Sequence, residues 1–454
     1  MRITWNKQRH IARHWQWIIG ALIILGLLSS GFLLSRQLQW PTNLWNHNIN
    51  EQQVNPYVAF LTEIYDKIQA NYWEKISDEQ LFNLYKLGAA KLDHEPEVTI
   101  ANDKTGLRIM LDQIIEQLPD KKAKQEFSVN LATIVLYNLQ PTGRSGLYTT
   151  QKETALWNNV KNIDPETNLY DTIGVDKNAD EKQIASAAQS KANALQQTIN
   201  NPNADEATKQ AAQTDLEKVQ RAQETLTQES SRQTYDQSGV EATVYGKIIK
   251  PDILHLSIKK ISPTTPNELK QVADSFADHT ELHSLILDLR GNVGGSIDIM
   301  PYLLGPFIGP NNLAFEFYHQ GEYTPYKTKT TWLASLVPYK KVVILQDELG
   351  QSSAEVMAAT LKKYNVGVLV GTTSRGWGTI EAVYDIDNQI SDTETYKMFL
   401  VNSVTLRDDN QPIEGRGVDP TININDPDWT DQLYLYYSDR DLIDAVEKLI
   451  DQAA

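Results

Sequence analysis

Apolar residues recur along this chain at changing periods, and each change marks a boundary. Trp17–Leu34, "WIIGALIILGLLSSGFLL", is uncharged throughout. At 1.5 Å per residue a helix of this length reaches roughly 27 Å, close to the hydrocarbon thickness of a bilayer. Residues 35–52 are polar, rich in Asn and Gln, and read as a tether. A three- and four-residue period follows in Val58, Leu61, Ile64, Tyr65 and Ile68. Ser77 and Gln80 form a capping-box pattern ahead of Leu81, Leu84, Tyr85 and Leu92. Two more helical patterns cover Thr105–Leu118 and Phe127–Leu139, so residues 53–150 are predicted to be a small helical domain.

Residues 168–239 are rich in Ala, Gln, Glu and Lys, which favours long helices. From about Thr243 short apolar runs ("ILHLSI", "SLILDL", "KVVILQ", "VGVLVG") alternate with helical patterns. That alternation predicts an α/β sheet domain over 242–430. A charged amphipathic helix over Asp439–Asp451, with Ser438 as its expected N-cap, closes a helical segment at 431–454.

Charge orients the picture. Arg2, Lys7, Arg9 and Arg13 precede the apolar span and only Arg36 follows closely, which puts residues 1–16 in the cytoplasm and the bulk of the chain outside it. A cleaved signal peptide is the alternative; the long basic leader and the lack of an A-x-A site favour an uncleaved single-pass anchor. The net charge of −16 and the absence of a basic run argue against a nucleic-acid partner. With no cysteine, disulfides, thiolate catalysis and zinc–thiolate sites are excluded. No cofactor or metal motif is present.

Three segments carry chemistry. "LILDLRGNVGG" (285–295) is a strand ending in a Gly-rich turn, whose N–H groups can face an oxyanion. "GQSSAEVMAAT" sets Ser352 at a strand-to-helix junction, where the helix dipole favours negative charge. There Ser352 is either a nucleophile, with the Ser353 N–H as an oxyanion donor, or an N-cap boxed with Glu355. "VLVGTTSRGWGTIEAVYDI" is a strand, a glycine-punctuated loop and a strand.

In that order and spacing the three segments resemble the tail-specific (C-terminal processing) serine peptidase family. "FLTEIYDKIQANYWEKISDEQLFNLYKLGAAKLD" and "LVNSVTLRDDNQPIEGRGVDP" are similar to further parts of it, although Asp419 precedes Pro420 where the family has G-I-x-P-D. The resemblance covers about residues 53–150 and 242–425. It implies a spiral ββα core of the ClpP/crotonase type and a serine–lysine dyad acting on polypeptides. The nucleophile maps onto Ser352 and the oxyanion donors onto the backbone of Gly295 and Ser353. The family's base lysine lies between two glycines; here that residue is Trp377. The family's glutamine four residues later is Glu381. An indole N–H cannot accept a proton, so impaired or absent peptidase activity is expected. Lys362 and Lys363 lie some 15 Å along the same helix. Glu381 and the upstream His255, His279 and His283 are the other candidate bases.

Between the helical and α/β parts, "NLYDTIGVDKNADEKQI", "VQRAQETL" and "SRQTYDQSG" resemble a J-domain over 168–239. The His-Pro-Asp tripeptide with which J-domains stimulate a heat-shock ATPase is missing from the stretch aligned to it, "LQQTIN" (Leu195–Asn200). The remaining basic residues on the second helix are Lys182 and Lys191. A spacer or protein-binding role follows, without a productive chaperone partner. The expected partners are a polypeptide substrate or an envelope protein, and the membrane through Trp17–Leu34. Self-association is left open.

Overall fold

The computed structural model describes residues 55–94, 101–407 and 409–451. The expected anchor at Trp17–Leu34 and the tether lie outside them. Among the described residues no helix is long and apolar enough to cross a membrane.

Four helices come first: α1 (Pro56–Asn71), α2 (Asp78–Lys91), α3 (Lys104–Gln117) and α4 (Lys121–Asn138). Ser77 and Gln80 close the predicted capping box on α2, at 3.2 and 2.9 Å. The helices do not close a core on their own. Phe60, Ile64, Leu111 and Leu131 share one cluster with Tyr396, Met398 and Leu400 of the later sheet. The chain then forms β1 (Gly146–Thr149) and α5 (Thr150–Val160).

The Gln- and Ala-rich segment is helical: α6 (Leu169–Ile173), α7 (Glu181–Ile199), α8 (Glu206–Thr227) and α9 (Glu229–Ser238). Leu169, Tyr170, Ile184, Val219 and Leu226 form its core. The turn between the two long helices lies over 200–205, beyond Leu195–Asn200 where the sequence placed it. With no breaker in "LQQTIN", α7 runs on to Ile199, and Leu195 packs against the core of the segment.

The remainder holds β2 (Val244–Lys250), β3 (Ile253–Ile258), α10 (Thr265–Ser275), β4 (Ser284–Asp288), β5 (Leu313–His319), β6 (Glu322–Lys327) and β7 (Lys341–Gln346). After these come α11 (Ser353–Lys363), β8 (Val368–Gly371), β9 (Thr379–Asp385), β10 (Tyr396–Thr405), β11 (Ile422–Asn423), α12 (Trp429–Tyr437) and α13 (Arg440–Asp451). One sheet has the order β11-β8-β7-β4-β3-β2, parallel except for β2 against β3. Its strands are apolar on both faces because both faces are covered. Leu285, Leu287 and Ile344 point to the cluster that includes α11, while Ile286, Val343 and Leu345 point to α12 and α13. A second, antiparallel sheet runs β1-β10-β5-β6, with β9 also on β10.

Ser438 does not cap α13. At φ 50° it ends α12 in the left-handed conformation, and the Asp439 carboxylate accepts the Leu442 N–H at 3.2 Å instead.

Candidate functional site

The first wall of the site begins where β4 ends. Asp288 is buried, which alone would raise its pKa. Hydrogen bonds from Arg290 and His255 outweigh burial and hold it well below the usual carboxylate range. Arg290 is fixed in turn by the Leu449 carbonyl of α13, at 2.7 Å. Beyond this pair Asn292 ties the turn down: its amide donates to the Ile258 carbonyl at 2.8 Å and its side-chain oxygen accepts the Gly294 N–H at 2.8 Å. Gly294 (φ 79°) and Gly295 (φ 141°) both lie in the left-handed half of backbone space. A Cβ on Gly294 would sit 2.8 Å from the Ser352 Cβ, and one on Gly295 would sit 2.1 Å from the Ile261 carbonyl oxygen. Glycine is therefore required for this turn to lie against the serine.

Ser352 links β7 to α11 at φ 59°, ψ −129°. For a residue with a Cβ this is strained backbone, of order 1–3 kcal/mol. Glu355 holds it there. The capping-box arrangement is present, but its bonds run through main chain and carboxylate. The Ser352 N–H donates to Glu355 Oε2 at 2.9 Å, and the Glu355 N–H goes to the Ser352 carbonyl at 2.9 Å rather than to its hydroxyl. Glu355 also accepts the Ser374 hydroxyl at 2.6 Å and the N–H groups of Gly376 and Trp377 at 2.7 and 2.8 Å. Burial nevertheless keeps its pKa raised, against the pull of those four donors. One carboxylate thus ties the serine turn to the 374–378 loop, and the Trp377 carbonyl returns a bond from the Ser352 N–H at 3.1 Å.

Two N–H groups beside the serine, those of Gly295 and Ser353, find no acceptor among the described residues. Neighbouring groups account for the local pairing: Ile261 bonds Gly294 and Ser296 on either side of Gly295, at 3.0 and 2.7 Å. Free donors beside a hydroxyl at a helix N-terminus can stabilise an oxyanion.

No candidate base bonds the serine hydroxyl among the described residues. His255 is paired with Asp288 at 3.0 Å, His279 with Glu281 at 2.9 Å, and His283 donates to the Glu281 carbonyl at 2.8 Å. Lys362 donates to the Asp419 carbonyl at 2.9 Å. The Trp377 indole N–H donates to Glu381 Oε1 at 3.3 Å, and the Thr379 hydroxyl donates to the same oxygen at 2.5 Å. Glu381 keeps some solvent contact but lies deep. Burial pushes its carboxyl from 4.5 up to about 7, against Thr379, Trp377 and Arg144.

Sequence reasoning missed the residues that pin the indole. The Arg144 guanidinium lies 3.3 Å from the centroid of the Trp377 ring and pairs with Glu414 at 3.1 Å. The other Glu414 oxygen accepts the Gly378 N–H at 2.8 Å. Nothing around Arg144 signalled this, because 233 residues separate it from Trp377. The "IEGRG" run at 413–417 was a weak pointer to Glu414. Among the described residues no acidic and histidine cluster is placed to hold a metal.

Residues 252–424 match the model of peptidase family S41. The matched region runs from β3 to β11. The chain is 30% identical over 195 residues to the carboxy-terminal processing protease CtpA of Bacillus subtilis, a match covering 42% of this chain and 39% of that one. CtpB of the same organism is 26% identical over 177 residues, covering 38% of this chain and 34% of that one. The chain therefore spans well under half the length of these relatives. The photosystem II D1 C-terminal processing protease aligns over 82% of this chain and 94% of its own at 11% identity, with a TM-score of 0.48.

Proposed function

We propose that this S41 domain binds extended polypeptides and hydrolyses them slowly or not at all. The observation that carries the reading is Trp377. It stands where the dyad lysine is expected, its indole can only donate, and it is held there by Arg144 and Glu381. The other parts of an acyl-transfer site are retained: Ser352 as the position of the nucleophile, and the Gly295 and Ser353 N–H groups as oxyanion donors. Those donors lower a barrier only once the serine proton has somewhere to go. A fluorophosphonate probe tests this, since it labels only an activated serine. The full-length protein should label no faster than its Ser352→Ala variant; rapid labelling that vanishes in the variant refutes the reading.

A second reading has one observation in its favour. A carboxyl raised to about 7 is matched to general-base work near neutrality. If Glu381 served Ser352, hydrolysis would rise with pH through about 7 and be lost in Glu381→Gln.

The reading extends to the rest of the chain. Trp17–Leu34, with its basic leader, is assigned as a single-pass anchor that leaves the S41 domain outside the cytoplasm. The four helices over 168–239 are assigned as a J-like module without chaperone activity. Its interhelical turn reads Asn201-Pro202-Asn203, keeping a proline but neither the histidine nor the aspartate of the working tripeptide. The two-helix hairpin of α7 and α8 supports the resemblance.

A further inference from the structure

We propose that the face built by Tyr302, Lys329, Trp332, Val337 and Lys340 docks on an anionic lipid bilayer. Residues 323–346 hold four lysines, Lys327, Lys329, Lys340 and Lys341, and no acidic residue, in a chain whose net charge is −16. The stretch 328–333 is pinned along residues 301–309. The Lys329 N–H donates to the Pro301 carbonyl at 2.8 Å, the Thr330 hydroxyl to the Tyr302 carbonyl at 2.7 Å, and the Leu333 N–H to the Pro306 carbonyl at 3.1 Å. That pairing sets exposed rings beside lysines: the Lys329 ammonium lies 5.2 Å from the centroid of the Tyr302 ring. Trp332 and Val337, 55% and 50% exposed, line one cleft of about 370 Å³ together with Phe307, Ile308 and Val366. The Lys340 ammonium donates to the Val337 carbonyl at 3.0 Å. The exposed apolar side chains thus form one patch with lysines at its edge, not scattered singles.

The lysines are available to a ligand. Among the described residues Lys327, Lys329 and Lys340 form no ion pair, and all three are exposed; Lys341 is paired with Asp439 at 2.6 Å. Carboxylates bordering the patch are engaged already, Asp274 by Lys270 and the Ser335 hydroxyl, and Glu281 by His279. Each lysine held within a Debye length of an anionic surface strengthens binding roughly fivefold. Trp and Tyr side chains settle at the headgroup level of a bilayer. A protein partner fits less well, because protein interfaces are enriched in Trp and Tyr but depleted of lysine.

Leu285 and Val342, at the N-terminal ends of β4 and β7, also line the cleft, whereas Ser352 follows the opposite end of β7. Docking through this face therefore turns the serine away from the bilayer. It rests on the anchor assigned above to keep the domain near the surface. Fully extended, residues 35–54 reach about 70 Å. A globule of roughly 400 residues is about 55 Å across, so the chain after the anchor is long enough for this face to come back to the bilayer.

The chain has no cysteine, so one introduced cysteine can carry a polarity-sensitive dye. Thr331→Cys and Val337→Cys, both at exposed positions, report from the patch, and Leu87→Cys on α2 reports from the helical domain. The full-length protein is placed in nanodiscs of phosphatidylcholine alone or mixed with phosphatidylglycerol, and dye emission and quenching by spin-labelled lipid are read. In the anionic discs both patch labels should shift to the blue and be quenched while the Leu87 label stays in water. Neutral lipid, or Lys329→Glu combined with Lys340→Glu, should lower the ratio of docked to free domain at least tenfold. Patch labels that stay in water in anionic discs, that enter neutral discs equally, or that answer to added polyglutamate and not to lipid overturn the proposal, as does immersion of all three labels alike. If the chain does not enter the discs, the anchor assignment fails, and the same labels with added anionic vesicles still decide the patch.

Discussion

Replacing Glu381 by glutamine should stabilise the protein, and by more as the pH rises. Both donors to this side chain, the Thr379 hydroxyl and the Trp377 indole, bond the same oxygen, Oε1. An amide oxygen can accept both, so the substitution removes a titration and leaves the contacts. The folded carboxyl has its pKa raised from 4.5 to about 7. Between those values the folded state holds a proton that the unfolded chain has already released. Stability therefore falls as pH climbs from about 4.5 to about 7 and levels off above that. At about 1.4 kcal/mol per pH unit, the wild type should lose roughly 3 kcal/mol by pH 8 and about 1 kcal/mol by pH 5. Urea unfolding followed by tryptophan fluorescence at both pH values measures this directly. Glu381→Gln should exceed the wild type by about 2 kcal/mol more at pH 8 than at pH 5. An advantage independent of pH, or a variant less stable at pH 8, would refute the argument that burial dominates this carboxyl.

Three further outcomes follow. Arg144→Ala should cost roughly 1–3 kcal/mol, because it removes the cation–π contact to Trp377 and leaves Glu414 unpaired; chemical unfolding and a shift in tryptophan emission report it, and Arg144→Lys should recover little of the loss. Gly295→Ala should cost at least about 2 kcal/mol, since its Cβ meets the Ile261 carbonyl in left-handed backbone; a melting temperature equal to wild type would contradict this. The full-length protein should not accelerate a heat-shock ATPase, and restoring histidine and aspartate at Asn201 and Asn203 tests whether those two residues are what is missing.

Much of the site could be read from the chain because its parts are local. The Gly-rich turn after β4, Ser352 before α11 and Trp377 between two glycines each declare themselves within ten residues. What could not be read was what binds these parts together. Glu355 looked like half of a helix cap, yet its carboxylate joins two loops. Arg144 reaches Trp377 across 233 residues, and no local pattern encodes that contact. Periodicity found the helices but not all of their ends. The sequence pattern puts the turn after α7 too early because an amide-rich helix carries no stop signal, and it marks Ser438 as a cap although that residue terminates the preceding helix. The helices of the first domain were visible in sequence, but their apolar faces did not announce that β10 completes their core.

Ser352 is proposed to sit in a nucleophile's place without a working base, and cleavage of an unstructured polypeptide by the full-length protein and by Ser352→Ala, assayed side by side, is the decisive comparison. A general base contributes on the order of a hundred- to ten-thousand-fold, so the unmodified protein should be slow and close to its variant. Rapid cleavage by the unmodified protein, abolished by Ser352→Ala, would contradict the account.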